Sequence, residues 1–300
     1  MLDKRIVVGA PLLRLTSWQA SDASVTWCCF LFDLPTNGAW QPPPMRWRVR
    51  TDESNRTVPY YMRLRNHPTV RVRIHGLSSM THVLVTGSAG FIGSHLTDRL
   101  LGVGLQVLGF DNLSSGDRSN LEGALRSSRF RFVEGDLLDG KTTSRVLSEC
   151  GLVFHLAADP EVRLGAENPD AHFRQNLQAT FNLLEAIRTR AARTRIVFAS
   201  TSTVYGEASV IPTPEEYGPL LPTSTYGATK LGCEALLASY TQLIALQVTI
   251  FRFANVVGTR GRHGVLYDFI KKLQRNPHEL EVLGDGTQTK SYLHIEDCID

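Results

Sequence analysis

A glycine-rich turn between an apolar strand and a helix constrains this 300-residue chain more than any other feature. The apolar run His82–Thr86 leads into Gly87-Ser-Ala-Gly90-Phe-Ile-Gly93, and the residues that follow have helical periodicity. Glycine at the first position permits a tight turn, glycine at the second lets backbone approach a diphosphate, and glycine at the third lets the helix pack against the strand. The helix N-terminus then offers unpaired N–H groups to an anion. The segment predicts a dinucleotide-binding βα unit.

After Met80 short apolar runs alternate with helical stretches. The predicted strands are His82–Thr86, Gln106–Phe110, Arg131–Glu134, Leu152–His155, Arg195–Ala199 and Gln247–Phe251. The predicted helices are Phe91–Leu101, Pro169–Arg190 and Tyr226–Leu243, with a further helix at Leu137–Leu147 for which Asp136 is a candidate N-cap. Strands that alternate with helices indicate an α/β fold with a doubly wound, Rossmann-type parallel sheet.

Asp111 ends the second predicted strand and favours NAD over NADP as the cofactor. It lies 24 residues after Gly87, close to the spacing of about 20 expected for an acidic residue that binds the ribose hydroxyls. A carboxylate at this place would repel a 2′-phosphate.

A tyrosine and a lysine lie one helical turn apart in Tyr226-Gly-Ala-Thr-Lys230. On a helix both side chains lie on one face. A nearby ammonium favours the ionised phenol, so Tyr226 is a candidate proton acceptor for a substrate hydroxyl. The alternative is an ordinary exposed pair, because this spacing often occurs by chance.

Together these motifs resemble the extended short-chain dehydrogenase/reductase family, the NAD-dependent epimerases and dehydratases, and most closely its UDP-glucose 4-epimerase-like branch. The resemblance rests on the GxxGxxG spacing, Asp111-Asn-Leu-Ser-Ser-Gly116, Gly135-Asp136-Leu137, Phe154-His-Leu-Ala157-Ala158 and the Tyr226/Lys230 pair. Asn176 matches a helix asparagine that holds the active site in this family. The implied NAD-binding residues are Gly87, Gly90, Phe91, Ile92, Gly93, Asp111, Asn112, Asp136, Leu137, Leu156, Ala157, Ala158, Asn176, Tyr226 and Lys230.

The resemblance also implies a catalytic hydroxyl and a reaction. Thr201 occupies the catalytic Ser/Thr position beside Tyr226 and Lys230, although Ser200 and Ser202 leave the assignment open by one residue. The family's dehydratases carry Asp-Glu where this chain has Ser202 and Thr203, and a hydroxyl cannot replace a carboxylate in acid–base work. Epimerisation is therefore expected: NAD takes a hydride from C4 of a nucleotide sugar, and the hydride returns to the other face of a 4-keto intermediate.

Two residues are candidates for contact with the substrate diphosphate, in addition to Thr201 beside the sugar. By resemblance, Asn255 ends a strand that faces a sugar-nucleotide diphosphate, and Lys290 stands where the family usually has an arginine. Lysine keeps the charge but not the bidentate geometry, and a solvated loop cation is the alternative for Lys290. The expected partner is a nucleotide sugar, most simply UDP-glucose or UDP-galactose. Another reductase, epimerase or dehydratase of the family and a non-catalytic NAD-binding remnant are the alternatives.

Residues 1–79 differ in composition from the remainder. They contain all four tryptophans, and their 11 Lys and Arg outnumber five Asp and Glu. Apart from a possible strand at Val70–Ile74 they show no sustained periodicity. A basic arm for an anionic partner is one interpretation. We favour another, in which the folded enzyme starts at Met80 and residues 80–300 form the NAD-binding domain, with an incomplete substrate-binding part at roughly 255–300.

The whole-chain properties limit the remaining function classes. A net charge of +3 gives no argument for nucleic acid, and no apolar run approaches the ~20 residues of a membrane helix. The five cysteines have no metal-ligand spacing and indicate reduced thiols in the cytoplasm. We therefore expect a cytoplasmic enzyme without metal, nucleic acid or membrane partners, and a homodimer if the fold is complete.

Overall fold

The computed structural model describes residues 31–33, 82–162, 164–190, 194–282 and 290–300. The strands in this part of the chain are β1 (Leu31–Asp33), β2 (His82–Thr86), β3 (Val107–Asp111), β4 (Phe130–Glu134), β5 (Cys150–His155), β6 (Arg195–Thr201), β7 (Gln247–Phe253), β8 (Asn255–Val257) and β9 (Tyr292–His294). Strands β2 to β7 form a parallel sheet in the order β7-β6-β5-β2-β3-β4, and β1 pairs antiparallel with β7 at its edge. Strands β8 and β9 pair in a separate parallel sheet.

Helices connect the parallel strands. The α-helices of the described residues are α1 (Phe91–Gly102), α2 (Gly140–Leu147), α3 (Leu164–Glu167), α4 (Pro169–His172), α5 (Ala179–Arg188), α6 (Thr225–Ile244), α7 (Val265–Arg275) and α8 (Ile295–Ile299). A π-helical segment, Phe173–Gln178, joins α4 to α5. Single 3-10 turns occur at Arg118–Leu121, Ala124–Arg126 and Ser202–Tyr205.

Alternating strand residues bury two apolar cores, one on each face of the parallel sheet. On β2, Leu84 belongs to the core that contains Leu184 of α5 and Leu237 of α6. Its neighbour Val83 belongs to the other core, together with Leu96 of α1. The predicted doubly wound α/β fold is therefore confirmed. Because β2 lies between β3 and β5, the chain changes direction of winding there and leaves a crevice at the carboxyl ends of these strands.

The predicted strands after Met80 are confirmed, with ends that differ by at most two residues. The predicted helix Pro169–Arg190 is helical from Pro169 to Arg188, but it contains a π-helical segment that was not predicted. Two buried polar residues around this segment, His172 and Asn176, bond to α6, and apolar periodicity carries no information about such contacts. Strand β1 was not predicted. The possible strand Val70–Ile74 and the remainder of residues 1–79 lie outside the described residues.

Candidate active site

The glycine turn is as tight as its sequence predicts. Gly87 has a φ of +69°, and a Cβ at this position would lie 2.7 Å from the backbone nitrogen of Ala157. A Cβ on Gly93 would lie 2.0 Å from the carbonyl oxygen of Gly87. Both collisions are with backbone, which cannot move aside like a side chain. Glycine is therefore required at both positions for α1 to begin directly behind the turn.

The N-terminus of α1 is open to an anion. The helix begins at Phe91 with Gly90 as its N-cap, and neither a capping side chain nor an acidic residue occupies the first turn. The first N–H groups of a helix have no intrahelical partner and carry a partial positive charge. Phe91, Ile92 and Gly93 line the cavity in front of this helix end. The arrangement suits a diphosphate.

Asp111 ties the end of β3 to the glycine turn. Its two carboxylate oxygens each accept a hydrogen bond of 2.8 Å, one from the backbone N–H of Ala89 and the other from that of Leu113. Burial raises the pKa of this carboxyl, and the two backbone hydrogen bonds oppose the rise. Each carboxylate oxygen can accept a further bond, so a ribose hydroxyl can still be held there. The structure thus adds a scaffolding contact to the predicted ribose contact.

Asp136 lies beside Asn112 rather than capping a helix. The side-chain amide of Asn112 donates to its carboxylate at 2.9 Å, and the N–H of Leu138 donates to its other oxygen at 2.8 Å. The predicted N-cap at Asp136 is therefore wrong. Helix α2 begins three residues later than the predicted start Leu137, where Asp139 caps it by accepting from the N–H of Lys141. Residues 137–139 belong to the turn that follows β4 and not to the helix.

A cavity of about 540 Å³ opens at the carboxyl ends of the parallel strands. All but two of the predicted site residues line it: Gly87, Gly90, Phe91, Ile92, Gly93, Asp111, Asn112, Asp136, Leu137, Leu156, Ala157, Ala158, Thr201, Tyr226, Lys230 and Asn255. The fold thus brings the glycine turn, the β3 and β4 ends, the catalytic candidates and one substrate candidate to one cavity.

Tyr226 meets Thr201 at this cavity. Tyr226 follows the first residue of α6 and Thr201 ends β6. Burial raises the pKa of the Tyr226 phenol to about 12, whereas the hydrogen bond with the Thr201 hydroxyl lowers it. In the cofactor-free protein the phenol is therefore protonated at neutral pH, and it needs additional positive charge nearby to act as a base.

Lys230 supplies a buried positive charge one turn along α6. Its side chain is 2% exposed, and its ammonium lies 4.2 Å from the centre of the Phe198 ring. Burial lowers the pKa of this ammonium to about 8, and Glu234 opposes the change. Lys230 is therefore still largely charged at neutral pH, close to the point at which it would lose its proton.

Asn176 and Lys290 are the two predicted site residues outside the cavity lining. Asn176 is buried beneath the wall, where its side-chain oxygen accepts from the N–H of Asp159 at 2.7 Å and its amide donates to Thr229 at 3.2 Å. It therefore holds a loop to α6. Lys290 is exposed, as the alternative of a solvated loop cation implies.

The wall that faces the glycine turn was not predicted from the sequence. Arg262 and His263 follow β8 and line the cavity. Arg262 pairs with Asp117 at 2.6 Å, and His263 approaches Glu161 at 3.7 Å. The partners are far apart along the chain, and no local pattern links them. The cluster of basic residues shortly after Asn255 is the one sequence signal that marks them.

Among the described residues no group of three or more His, Cys, Asp and Glu side chains could hold a metal ion. In the same part of the chain, every helix is too short or too polar to cross a membrane.

Comparison with known proteins places this geometry in a family. Residues 83–300 match the model of the NAD dependent epimerase/dehydratase family. The UDP-glucose 4-epimerase of Mycolicibacterium smegmatis is 38% identical over 72% of this chain and 70% of its own. A crystal structure of UDP-galactose 4-epimerase is 47% identical, with a TM-score of 0.65 over 73% of this chain and 69% of that one.

A third relative contains the predicted cofactor. It is UDP-glucuronic acid 4-epimerase from Bacillus cereus, in complex with UDP-glucuronic acid and NAD, which is 34% identical with a TM-score of 0.68 over 73% of this chain and 71% of its own. The glycine turn, the open helix end and Asp111 of the present chain fit the same cofactor. The chain therefore belongs to the NAD dependent epimerase/dehydratase family, as an epimerase that uses NAD.

Proposed function

We propose that this chain is a nucleotide-sugar 4-epimerase and that UDP-glucose and UDP-galactose are its substrate pair. The observation that carries the proposal is the meeting of Tyr226, Lys230 and Thr201 at the cavity that the glycine turn also lines. The names of the relatives, UDP-glucose 4-epimerase and UDP-galactose 4-epimerase, support both the reaction and the sugar pair.

The proposed chemistry needs a base and a hydrogen-bonding hydroxyl at one substrate oxygen. Tyr226 would take the proton of the C4 hydroxyl, and the hydroxyl of Thr201 would hold the same oxygen. The hydroxyl of Thr201 accepts from that of Thr203 at 3.1 Å, so its own hydrogen, which bonds the Tyr226 phenol in the cofactor-free protein, would turn to the substrate oxygen. Lys230 stabilises the phenolate by its charge. Bound NAD would supply the hydride acceptor and donor.

The residues after β6 argue against dehydration. Water elimination needs a carboxyl acid or base beside the sugar, and Ser202 and Thr203 have only hydroxyl groups. Their pKa values lie far above neutrality, so neither group can exchange a proton as a carboxyl does. The same cavity wall is compatible with epimerisation, in which the proton and the hydride both return to the substrate.

The proposed substrate contacts involve Asn255 and Lys290. Asn255 lines the cavity, but its side-chain amide already donates to the carbonyl of Ser291 at 3.0 Å. Its side-chain oxygen is the atom we assign to the substrate. The assignment of Lys290 to the diphosphate stays a prediction, because this exposed side chain lies away from the cavity lining. A homodimer and a cytoplasmic location likewise stay predictions.

A second candidate is a 4-epimerase of UDP-glucuronate. The observation in its favour is the similarity to the B. cereus enzyme, which contains UDP-glucuronic acid. It uses the same residues for the chemistry and differs only in the group at C5 of the sugar. Substrate competition would separate the two candidates.

The test is conversion of defined nucleotide sugars. The purified chain is incubated with NAD and either UDP-galactose or UDP-glucuronate, and the C4 epimers are separated and quantified. We expect UDP-glucose from the first and little product from the second. The reverse preference would support the second candidate. Binding of NAD without conversion of either sugar would contradict both and favour an NAD-binding remnant.

A further inference from the structure

A row of polar contacts joins α6 to the helix that packs beside it. The row, here called the polar seam, has three contacts spaced by one helical turn: His172 with Thr225 at 2.7 Å, Asn176 with Thr229 at 3.2 Å, and Thr180 with Cys233 at 3.3 Å. All of its members are buried or half-buried. Apolar helix packing tolerates small shifts along the axis, whereas hydrogen bonds at fixed positions define one register.

The polar seam lies next to the catalytic residues in sequence and in space. Thr225 directly precedes Tyr226, and Thr229 directly precedes Lys230. Each catalytic side chain is thus one residue from a hydroxyl that is bonded to the neighbouring helix. A change in the register or rotation of α6 would move the phenol away from the hydroxyl of Thr201, because that hydroxyl belongs to β6.

His172 is the end of the seam nearest to the phenol. Its side chain is completely buried, and its ring meets the Tyr226 ring edge-on at 5.9 Å between centres. Nε2 lies 3.0 Å from the carbonyl oxygen of Glu161. A carbonyl only accepts, so Nε2 donates there and, in the neutral ring, Nδ1 accepts the hydroxyl hydrogen of Thr225. One ring therefore bonds both the catalytic helix and the cavity wall, which Glu161 lines.

Another buried histidine shows what an ordinary core histidine looks like in this fold. His155 on β5 is also completely buried, and its two ring nitrogens bond to Thr86 and Thr180. Thr180 belongs to the far end of the polar seam, but neither of these residues adjoins Tyr226 in the sequence. His172 differs because its contacts lie on the residue before Tyr226, on the Tyr226 ring and on the cavity wall.

We propose that His172 is a positioning residue for the epimerase reaction. Its bond to Thr225 sets the place of the Tyr226 phenol against Thr201, and its bond to Glu161 sets the cavity wall. The inference rests on the proposed function for its kinetic consequence, although the placement of the phenol can be measured without turnover.

The test uses three substitutions that separate the two bonds. In His172→Asn the side-chain amide reaches the place of Nδ1 and can still meet Thr225. In His172→Gln the amide reaches the place of Nε2 and can still donate to Glu161. His172→Phe keeps a ring in the core but loses both bonds. We expect the Asn variant to retain kcat and to have a higher KM. The Gln variant should retain KM, and its kcat should fall at least about tenfold. The Phe variant should change in both.

A second measurement reads the phenol directly in the NAD complex. The ultraviolet absorbance of phenolate is titrated with pH, and each variant is compared with the same variant carrying Tyr226→Phe, since the chain has eight tyrosines. We expect the pKa of Tyr226 to rise by about one unit in the Gln and Phe variants and to stay unchanged in the Asn variant. The hydroxyl of Thr201 and the charge of Lys230 are the stabilising groups that a displaced phenol would lose.

The outcomes distinguish this inference from the proposed function. Absence of turnover in the unsubstituted chain would contradict the proposed function, and the titration would still test His172. Equal loss in the Asn, Gln and Phe variants, in step with their melting temperatures, would show a purely structural histidine and overturn the inference. So would three variants with unchanged kcat, KM and phenol pKa.

Discussion

The two sides of the cavity are built differently. The cofactor side is formed by the glycine turn and the ends of β2 to β6. Its strands are largely buried, with Val83 and Leu84 of β2 at 0% exposure, except for the edge strand β4. The opposite wall, residues 253–268, leads into α7, which has no buried residue. Its Leu266 is 47% exposed. The geometry of the cofactor side is therefore held by a packed core, whereas that of the opposite wall depends on a few polar contacts.

The proposed catalytic residues lie on β6 and on α6, which packs against the sheet of the cofactor side, and they give the largest expected effect. Tyr226→Phe removes the phenol and keeps the ring, so we expect kcat for UDP-galactose to fall about 10²- to 10⁴-fold. NAD should still bind, which a fluorescence titration would check. A variant with undiminished turnover would show that another group is the base.

The second largest expected effect is a loss of NAD affinity when the packing of the cofactor side is disturbed. In Gly93→Ala the new methyl group would lie 2.0 Å from the carbonyl oxygen of Gly87, so the turn and α1 must separate. We expect NAD affinity to fall about 10- to 100-fold by calorimetry. The control is Gly102→Ala at the other end of α1, where a Cβ meets no atom within 4 Å. Equal losses in the two variants would contradict the role of the turn.

The buried charge on this side predicts a pH effect on stability. The pKa of Lys230 falls from 10.5 to about 8 on folding, so between these values the unfolded chain binds more protons and stability rises with pH. Relative to Lys230→Met, the free energy of unfolding of the cofactor-free protein should increase by about 2 kcal/mol from about pH 8 to about pH 10. Denaturant titrations at both pH values measure this increase. If the free energy of unfolding changed with pH by the same amount in both proteins, the pKa of Lys230 would not be lowered by folding.

The opposite wall predicts the smallest effect. The ion pair of Arg262 with Asp117 is exposed to solvent, and such pairs contribute little because water and ions screen them. We expect Arg262→Ala to raise KM by about fivefold or less, with a difference that shrinks at high salt because ions screen the pair. Arg275→Ala on the exposed end of α7 is the control. A fall in kcat that exceeds the rise in KM would mean that this wall takes part in the chemistry.

Local patterns predicted the cofactor side well. The strand ends and the glycine turn follow from alternation and spacing within a few residues, which is why His82–Thr86 was found without error. Contacts between distant segments were missed. Nothing in the sequence near His172 marks Thr225 as its partner, and nothing near Asp117 marks Arg262. The cap at Asp139 was missed because two aspartates three residues apart are equally good candidates by local rules.

The most direct test of the account follows the hydrogen at C4 of the sugar. UDP-glucose that carries deuterium at C4 is incubated with the chain and NAD in ordinary water, and the galactose epimer is analysed by mass spectrometry and NMR. An enzyme that removes and returns a hydride in a closed cavity should form UDP-galactose with the deuterium still at C4. Loss of the deuterium to water, or no epimer from a chain that binds NAD, would contradict the account.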